Sequence, residues 1–193
     1  MMLPRRALLA AAIAGLATRA GADTGQLYWP VVTDHPRWNV ISAQPACPNL
    51  RCFGAPRPVS QLDNPRRHHA GVDLFARAGD AVIAIEAGEV LGFYPFLRAR
   101  TGEMSYALLI AHAGYVANYA EVRDPPLVRI GDTVAPGQRI ARISDTAQLH
   151  FETYAPGATR NRSWAHGAAQ PAGVIDPTAR LQDLAQRGAR ILP

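Results

Sequence analysis

From residue 69 onward the chain is a succession of short apolar runs closed by glycine turns, and this texture constrains the fold most. The runs fall at 81–85, 89–93, 106–111, 115–119, 139–143 and 149–154. Each is rich in β-branched or aromatic residues, and the spacing between turns is that of an all-β sandwich or half-barrel. No helical periodicity of useful length precedes Pro177. Residues 178–187 predict one short helix that closes the fold. Hydrophobic residues make up 48% of the 193-residue chain, enough for one packed domain.

The first residues have another texture. Arg5 and Arg6 precede an apolar run at 7–17, and Ala20-Gly21-Ala22 is a small-residue cleavage site. Residues 1–22 therefore read as a secretory signal peptide, because the apolar run is too short to span a bilayer. Removing it takes away Arg5, Arg6 and Arg19 and leaves 17 basic against 15 acidic residues. That balance gives little support to nucleic-acid binding. The expected location is periplasmic or secreted, with no transmembrane segment once the signal is gone. Residues 23–60 read as an irregular, Pro-rich leader, and 61–193 as the main folded domain. In an exported chain, Cys47 and Cys52 are expected to form a small disulfide.

Two segments resemble each other, Gly79-Asp80-Ala81-Val82 and Gly131-Asp132-Thr133-Val134. Each places a Gly-Asp turn before a valine-bearing strand, as in the hybrid-motif folds of biotinyl and lipoyl carriers. A carrier attaches its cofactor to lysine, and this chain contains none, so that function is excluded.

The chemistry-bearing residues stand in two blocks, His69-Ala70-Gly71-Val72-Asp73 and His150-Phe151-Glu152. Gly71 and Val72 disfavour a helix between His69 and Asp73. A fully extended strand would separate the two by roughly 13 Å. A shared metal therefore demands a bend, and Gly71 permits one. In the second block, Leu149 and Phe151 face one way while Gln148, His150 and Glu152 face the other. Two imidazoles and one carboxylate leave a fourth zinc position open, the ligand count of a catalytic zinc.

With these pieces in hand, residues 67–156 resemble the lysostaphin-type (LytM-like) zinc metallopeptidases of bacterial cell walls. The matching pieces are the His69–Asp73 block, Ala87-Gly88-Glu89-Val90, Ile110-Ala111-His112, Tyr119-Ala120, the 131–140 segment and Leu149-His150-Phe151-Glu152. Asp176-Pro177 with Leu181 resembles the closing segment. The resemblance implies a duplicated hybrid motif with a groove. It implies one Zn2+ per chain held by His69, Asp73 and His150, and peptidoglycan peptides as substrate. Two departures accompany it. The family has His-X-His before Phe-Glu, but the first position here is Gln148. It also has Tyr-X-His, but here the position after Tyr119-Ala120 is Glu121. Both are catalytic histidines in the family.

Glu121 is a carboxylate able to serve as general acid and base. Gln148 cannot exchange protons but can donate to a developing oxyanion. Two readings stay open. One is a secreted zinc endopeptidase of peptidoglycan. The other is a catalytically inactive, zinc-containing protein that binds wall peptides or regulates another hydrolase. His112 reads as a structural histidine. Tyr119 shares the face of Glu121 by strand period, as a substrate contact or as packing. Arg160, Asn161 and Trp164 wall one end of the groove or simply pack. A leader folded over the groove would bring Asp34, His35 or Asn39 towards the metal.

Overall fold

The structure is a computed structural model that describes residues 28–34, 51–57 and 66–186. The expected signal peptide, Cys47, His35 and Asn39 lie outside the described residues. Among the described residues, twelve strands and one helix form in chain order. They are β1 (Val31–Val32), β2 (Pro56–Arg57), β3 (Arg67–His68), β4 (Val72–Phe75), β5 (Ala81–Ile83) and β6 (Gly88–Arg98). Then follow β7 (Met104–His112), β8 (Tyr115–Val122), β9 (Thr133–Val134), β10 (Arg139–Arg142), β11 (Gln148–Tyr154), β12 (Val174–Ile175) and α1 (Thr178–Gln186). The fold is all-β with one short C-terminal helix, as the turn spacing predicts. Every strand expected from the runs is present. β6 runs further than expected, continuing through Pro95, where its register against β7 shifts.

A seven-stranded sheet runs β12-β11-β8-β7-β6-β9, with β4 also pairing β11. A three-stranded sheet runs β1-β5-β10. The leader thus supplies a strand, because Val31 pairs Val82. One core cluster fills the space between the sheets, with Val82, Ile85, Leu108, Ile110, Tyr119, Ile140, Leu149 and Phe151 buried in it. Leu181 and Leu184 seal it from α1. Asp176 Oδ1 accepts from the Thr178 amide at 2.8 Å, a side-chain cap at the helix start.

The two related segments are physically the same turn. The Arg77 amide donates to Asp80 Oδ2 at 2.7 Å, and the Arg129 amide donates to Asp132 Oδ2 at 2.8 Å. Gly79 and Gly131 sit at φ 91° and 89°, a left-handed conformation that glycine adopts without strain. Each turn launches a short strand, β5 or β9. The internal duplication therefore rests on turn chemistry.

Candidate metal centre

β11 is the scaffold of the site. Its side chains alternate as its sequence predicts, with Leu149 and Phe151 entering the core. Gln148 and His150 line a pocket on the opposite face. β4 lies antiparallel beside it with Asp73 directly opposite His150. The chain bends at 69–71 between β3 and β4, which carries His69 back over the pair. Gly71 is required there by crowding: a Cβ at this position would lie 2.5 Å from the Phe151 carbonyl oxygen.

These elements bring the three expected ligands together. His69 Nε2 lies 3.1 Å from Asp73 Oδ1 and 2.9 Å from His150 Nδ1. His150 Nδ1 lies 2.8 Å from Asp73 Oδ1. All three residues are buried. Tetrahedral zinc with bonds near 2.1 Å separates its ligand atoms by about 3.4 Å, so the cluster needs only a slight expansion to admit the ion. Each ring also has an oxygen close to its far nitrogen, a hydrogen-bond partner for His69 and an ion contact without hydrogen-bond alignment for His150. His69 Nδ1 lies 2.9 Å from the Cys52 carbonyl oxygen, and His150 Nε2 lies 2.9 Å from Glu152 Oε1. Such outer partners place the proton on the far nitrogen and turn the near lone pair towards a metal. The donor set fits zinc.

The electrostatics follow from burial and close charges. Burial alone would raise the Asp73 carboxyl, but the His69 and His150 rings outweigh it and hold it well below its ordinary range. Burial alone would lower His150, but Glu152 and Asp73 outweigh it and push the ring up to about 10. His69 is lowered, mainly by burial. Glu152 is fixed by two further donors, Asn118 Nδ2 at 2.6 Å and Tyr154 Oη at 2.7 Å.

Glu121 and Gln148 both reach the pocket. Gln148 Nε2 donates to Glu121 Oε1 at 3.0 Å, and the Arg51 guanidinium donates to Gln148 Oε1. Burial, then the nearby Asp73 charge, raises the Glu121 carboxyl. Strand alternation fails at this residue. Ala120 pairs Ala107 and Val122 pairs Tyr106, so Glu121 is the extra residue of a β-bulge, with φ 67°. The bulge re-aims the side chain from the core to the site. The shared face expected for Tyr119 and Glu121 is therefore corrected. Tyr119 is wholly buried, with its hydroxyl 3.0 Å from His112 Nε2 and 3.2 Å from the Ile85 amide. His112 is closed on its other side by the Ala87 carbonyl at 2.9 Å, the structural role its sequence context suggests.

Sequence reasoning missed the contribution of the leader segment 51–57. Arg57 Nη2 lies 2.5 Å from Asp73 Oδ2, and the Asp73 amide donates to the Arg51 carbonyl at 2.9 Å. No periodicity marks this segment, so nothing in it signalled the contact. Asp34 does not point here; its carboxylate pairs Arg77 at 2.9 Å. No cysteine is free among the described residues, and Cys47, the expected partner of Cys52, lies outside them. Asn161 and Trp164 line an adjoining pocket, where Trp164 packs on Phe53 and His68. Arg160 instead lies over Tyr94, 5.8 Å from the ring centre.

A family model described as Peptidase family M23 matches residues 67–162. That span runs from β3 through the second ligand block. Several solved structures are similar. LytU is 23% identical over 68% of this chain and 82% of its own, with a TM-score of 0.48. The catalytic domain of the antimicrobial peptidase lysostaphin from Staphylococcus simulans is 22% identical over 68% of this chain and 89% of its own, with a TM-score of 0.44. Helicobacter pylori Csd3 is 22% identical over 84% of this chain but 41% of its own, with a TM-score of 0.45. No curated protein matches the chain in sequence.

Proposed function

This chain belongs to peptidase family M23, and we propose that it is an exported zinc endopeptidase that hydrolyses peptide bonds of peptidoglycan. One observation carries the reading: His69 Nε2, Asp73 Oδ1 and His150 Nδ1 converge at the base of an open pocket of about 270 Å³. The motif order of residues 67–156 supports the wall-peptide substrate. The charged start and apolar run of residues 1–22 support export. Among the described residues no helix is long and apolar enough to cross a membrane.

His69, Asp73 and His150 would hold the zinc ion, which would supply Lewis-acid polarisation of the scissile carbonyl and activation of water. The protein's own residues do the rest. Glu121 is the group in the pocket able to accept the proton of the attacking water and return it to the leaving amine. Its raised pKa moves it towards the range where both transfers are easy near neutral pH. Gln148 holds Glu121 Oε1 with one amide hydrogen and keeps its second for a developing oxyanion. Arg51 fixes the amide by binding its oxygen. Phe96, with its ring centre 5.2 Å from that of His150, shields one side of the ligands from water.

The Arg51-Gln148-Glu121 chain also favours the second reading, a zinc-containing protein that binds wall peptides or regulates a hydrolase without cutting. By the resemblance, Gln148 and Glu121 stand where the family carries its catalytic histidines. The two readings part in one experiment. Metal analysis of the purified chain is expected to give about one zinc, lost in Asp73→Ala. Muropeptide cleavage is expected in the wild type and absent in Glu121→Gln, with zinc retained. Equal cleavage by Glu121→Gln would remove the general-base role. Zinc without any cleavage would establish the binding reading, and a folded, zinc-free wild type would sink both.

A further inference from the structure

The pocket over the metal ligands is lined by four arginines, Arg57, Arg67, Arg98 and Arg100. Arginine is about one residue in ten of the chain, yet it supplies four of fifteen in this lining, so the pocket is enriched. The pocket's three carboxylates, Asp73, Glu121 and Asp145, are already engaged. Asp73 turns one oxygen to the histidines and the other to Arg57. Asp145 is held by Arg123 at 2.5 Å, and Glu121 is engaged by Gln148. Two of the arginines stand on the exposed rim. Arg98 is braced by a 2.7 Å bond from Nη1 to the Gly102 carbonyl, which leaves its other donors to the pocket. Arg100 has no ion-pair partner among the described residues. Arg67 and Phe96 line both this pocket and the adjoining one, so the positive lining is shared across the groove, where Arg162 joins it.

A guanidinium matches the planar geometry of a carboxylate and binds it through paired hydrogen bonds. A bound metal would add positive charge beneath the same rim. We propose that this site selects peptides carrying a free carboxylate next to the bond over the metal, and that Arg98 and Arg100 are the specificity-determining residues. The proposal rests on reading this pocket as the substrate site, and it names the chemical class that the site takes. The acidic group lies on the rim while the scissile carbonyl lies over the ligands. A carboxamide in the same place offers one acceptor and no charge, and it brings two donors towards a ring of donors.

The test is binding, so that it stands apart from hydrolysis. The zinc-loaded full chain is titrated calorimetrically with acetyl-Ala-Glu-Ala-amide and with acetyl-Ala-Gln-Ala-amide, and mass spectrometry checks that each peptide stays intact. The acidic peptide is expected to bind about tenfold tighter at low ionic strength, the scale of one charge-assisted contact. The difference is expected to narrow in added salt. It is expected to disappear in Arg98→Gln/Arg100→Gln, whose fold and zinc content are checked in parallel. Equal affinities in the wild type overturn the proposal. So does a preference that survives the double substitution, because that preference belongs to the metal itself. Failure to cleave muropeptides would remove the peptidase reading and leave this result standing.

Discussion

Exchanging Glu152 for glutamine tests how the site controls its metal, because the change preserves shape while removing the charge and the acceptor that face His150. Glu152 Oε2 accepts from both Asn118 and Tyr154, at 2.6 and 2.7 Å, while Oε1 faces His150 Nε2 at 2.9 Å. In Glu152→Gln the carbonyl oxygen must stay with the two donors, so the amide nitrogen turns to His150. A donor then faces Nε2, and the ring must carry its proton on Nδ1 instead. Nδ1 is the atom beside His69 Nε2 and Asp73 Oδ1, so the wrong tautomer blocks the metal position. Loss of such an outer partner weakens metal binding by about 10–100-fold, or roughly 1.4–2.7 kcal/mol. Zinc affinity measured by competition with a chromophoric chelator reads this directly. Thermal unfolding of the metal-free variant separates a binding defect from a folding defect. Zinc affinity within about twofold of the wild type, in a folded variant, would refute the reasoning.

Three further outcomes are expected. Gly71→Ala drives a methyl into the Phe151 carbonyl, so β4 must leave β11; unfolding measurements should show a loss of at least about 1–3 kcal/mol, together with zinc. Arg57→Ala removes a charged partner of Asp73 Oδ2 and should lower metal-free stability by about 1–2 kcal/mol in denaturant titrations. His112 is held neutral chiefly by burial, with its folded pKa below the ordinary 6.5. A depressed histidine lends stability that is present above its unfolded value and is lost as pH falls through the folded one. The melting temperature should therefore drop as pH falls below about 6.5, and His112→Gln should flatten that limb even though it melts lower throughout.

What the sequence revealed depended on which residues obey a period. β11 reads correctly because Leu149, His150 and Phe151 alternate without interruption, and His69 with Asp73 needs only the bend that Gly71 allows. Glu121 defeats the same rule. Alternation places it beside Tyr119, and only the unequal pairing against Ala107 and Tyr106 shows the extra residue that turns it to the pocket. The ends of β6 escape for a related reason, since Pro95 interrupts the pattern but not the strand. Arg51 and Arg57 were invisible because their contacts are tertiary. They lie in a segment with no repeating apolar pattern, and their partners, Gln148 and Asp73, are distant in sequence or belong to another block.

The cross-strand register of Asp73 and His150 has a consequence for how the molecule is made. The two residues are separated by 77 positions and become neighbours only when β11 pairs β4. A chain synthesised as far as β8 owns only the His69–Asp73 half of the site, and two ligands hold zinc poorly. Tight capture must wait until β11 is made and seated against β4. Metal content, measured per molecule, would then count finished folds rather than chains.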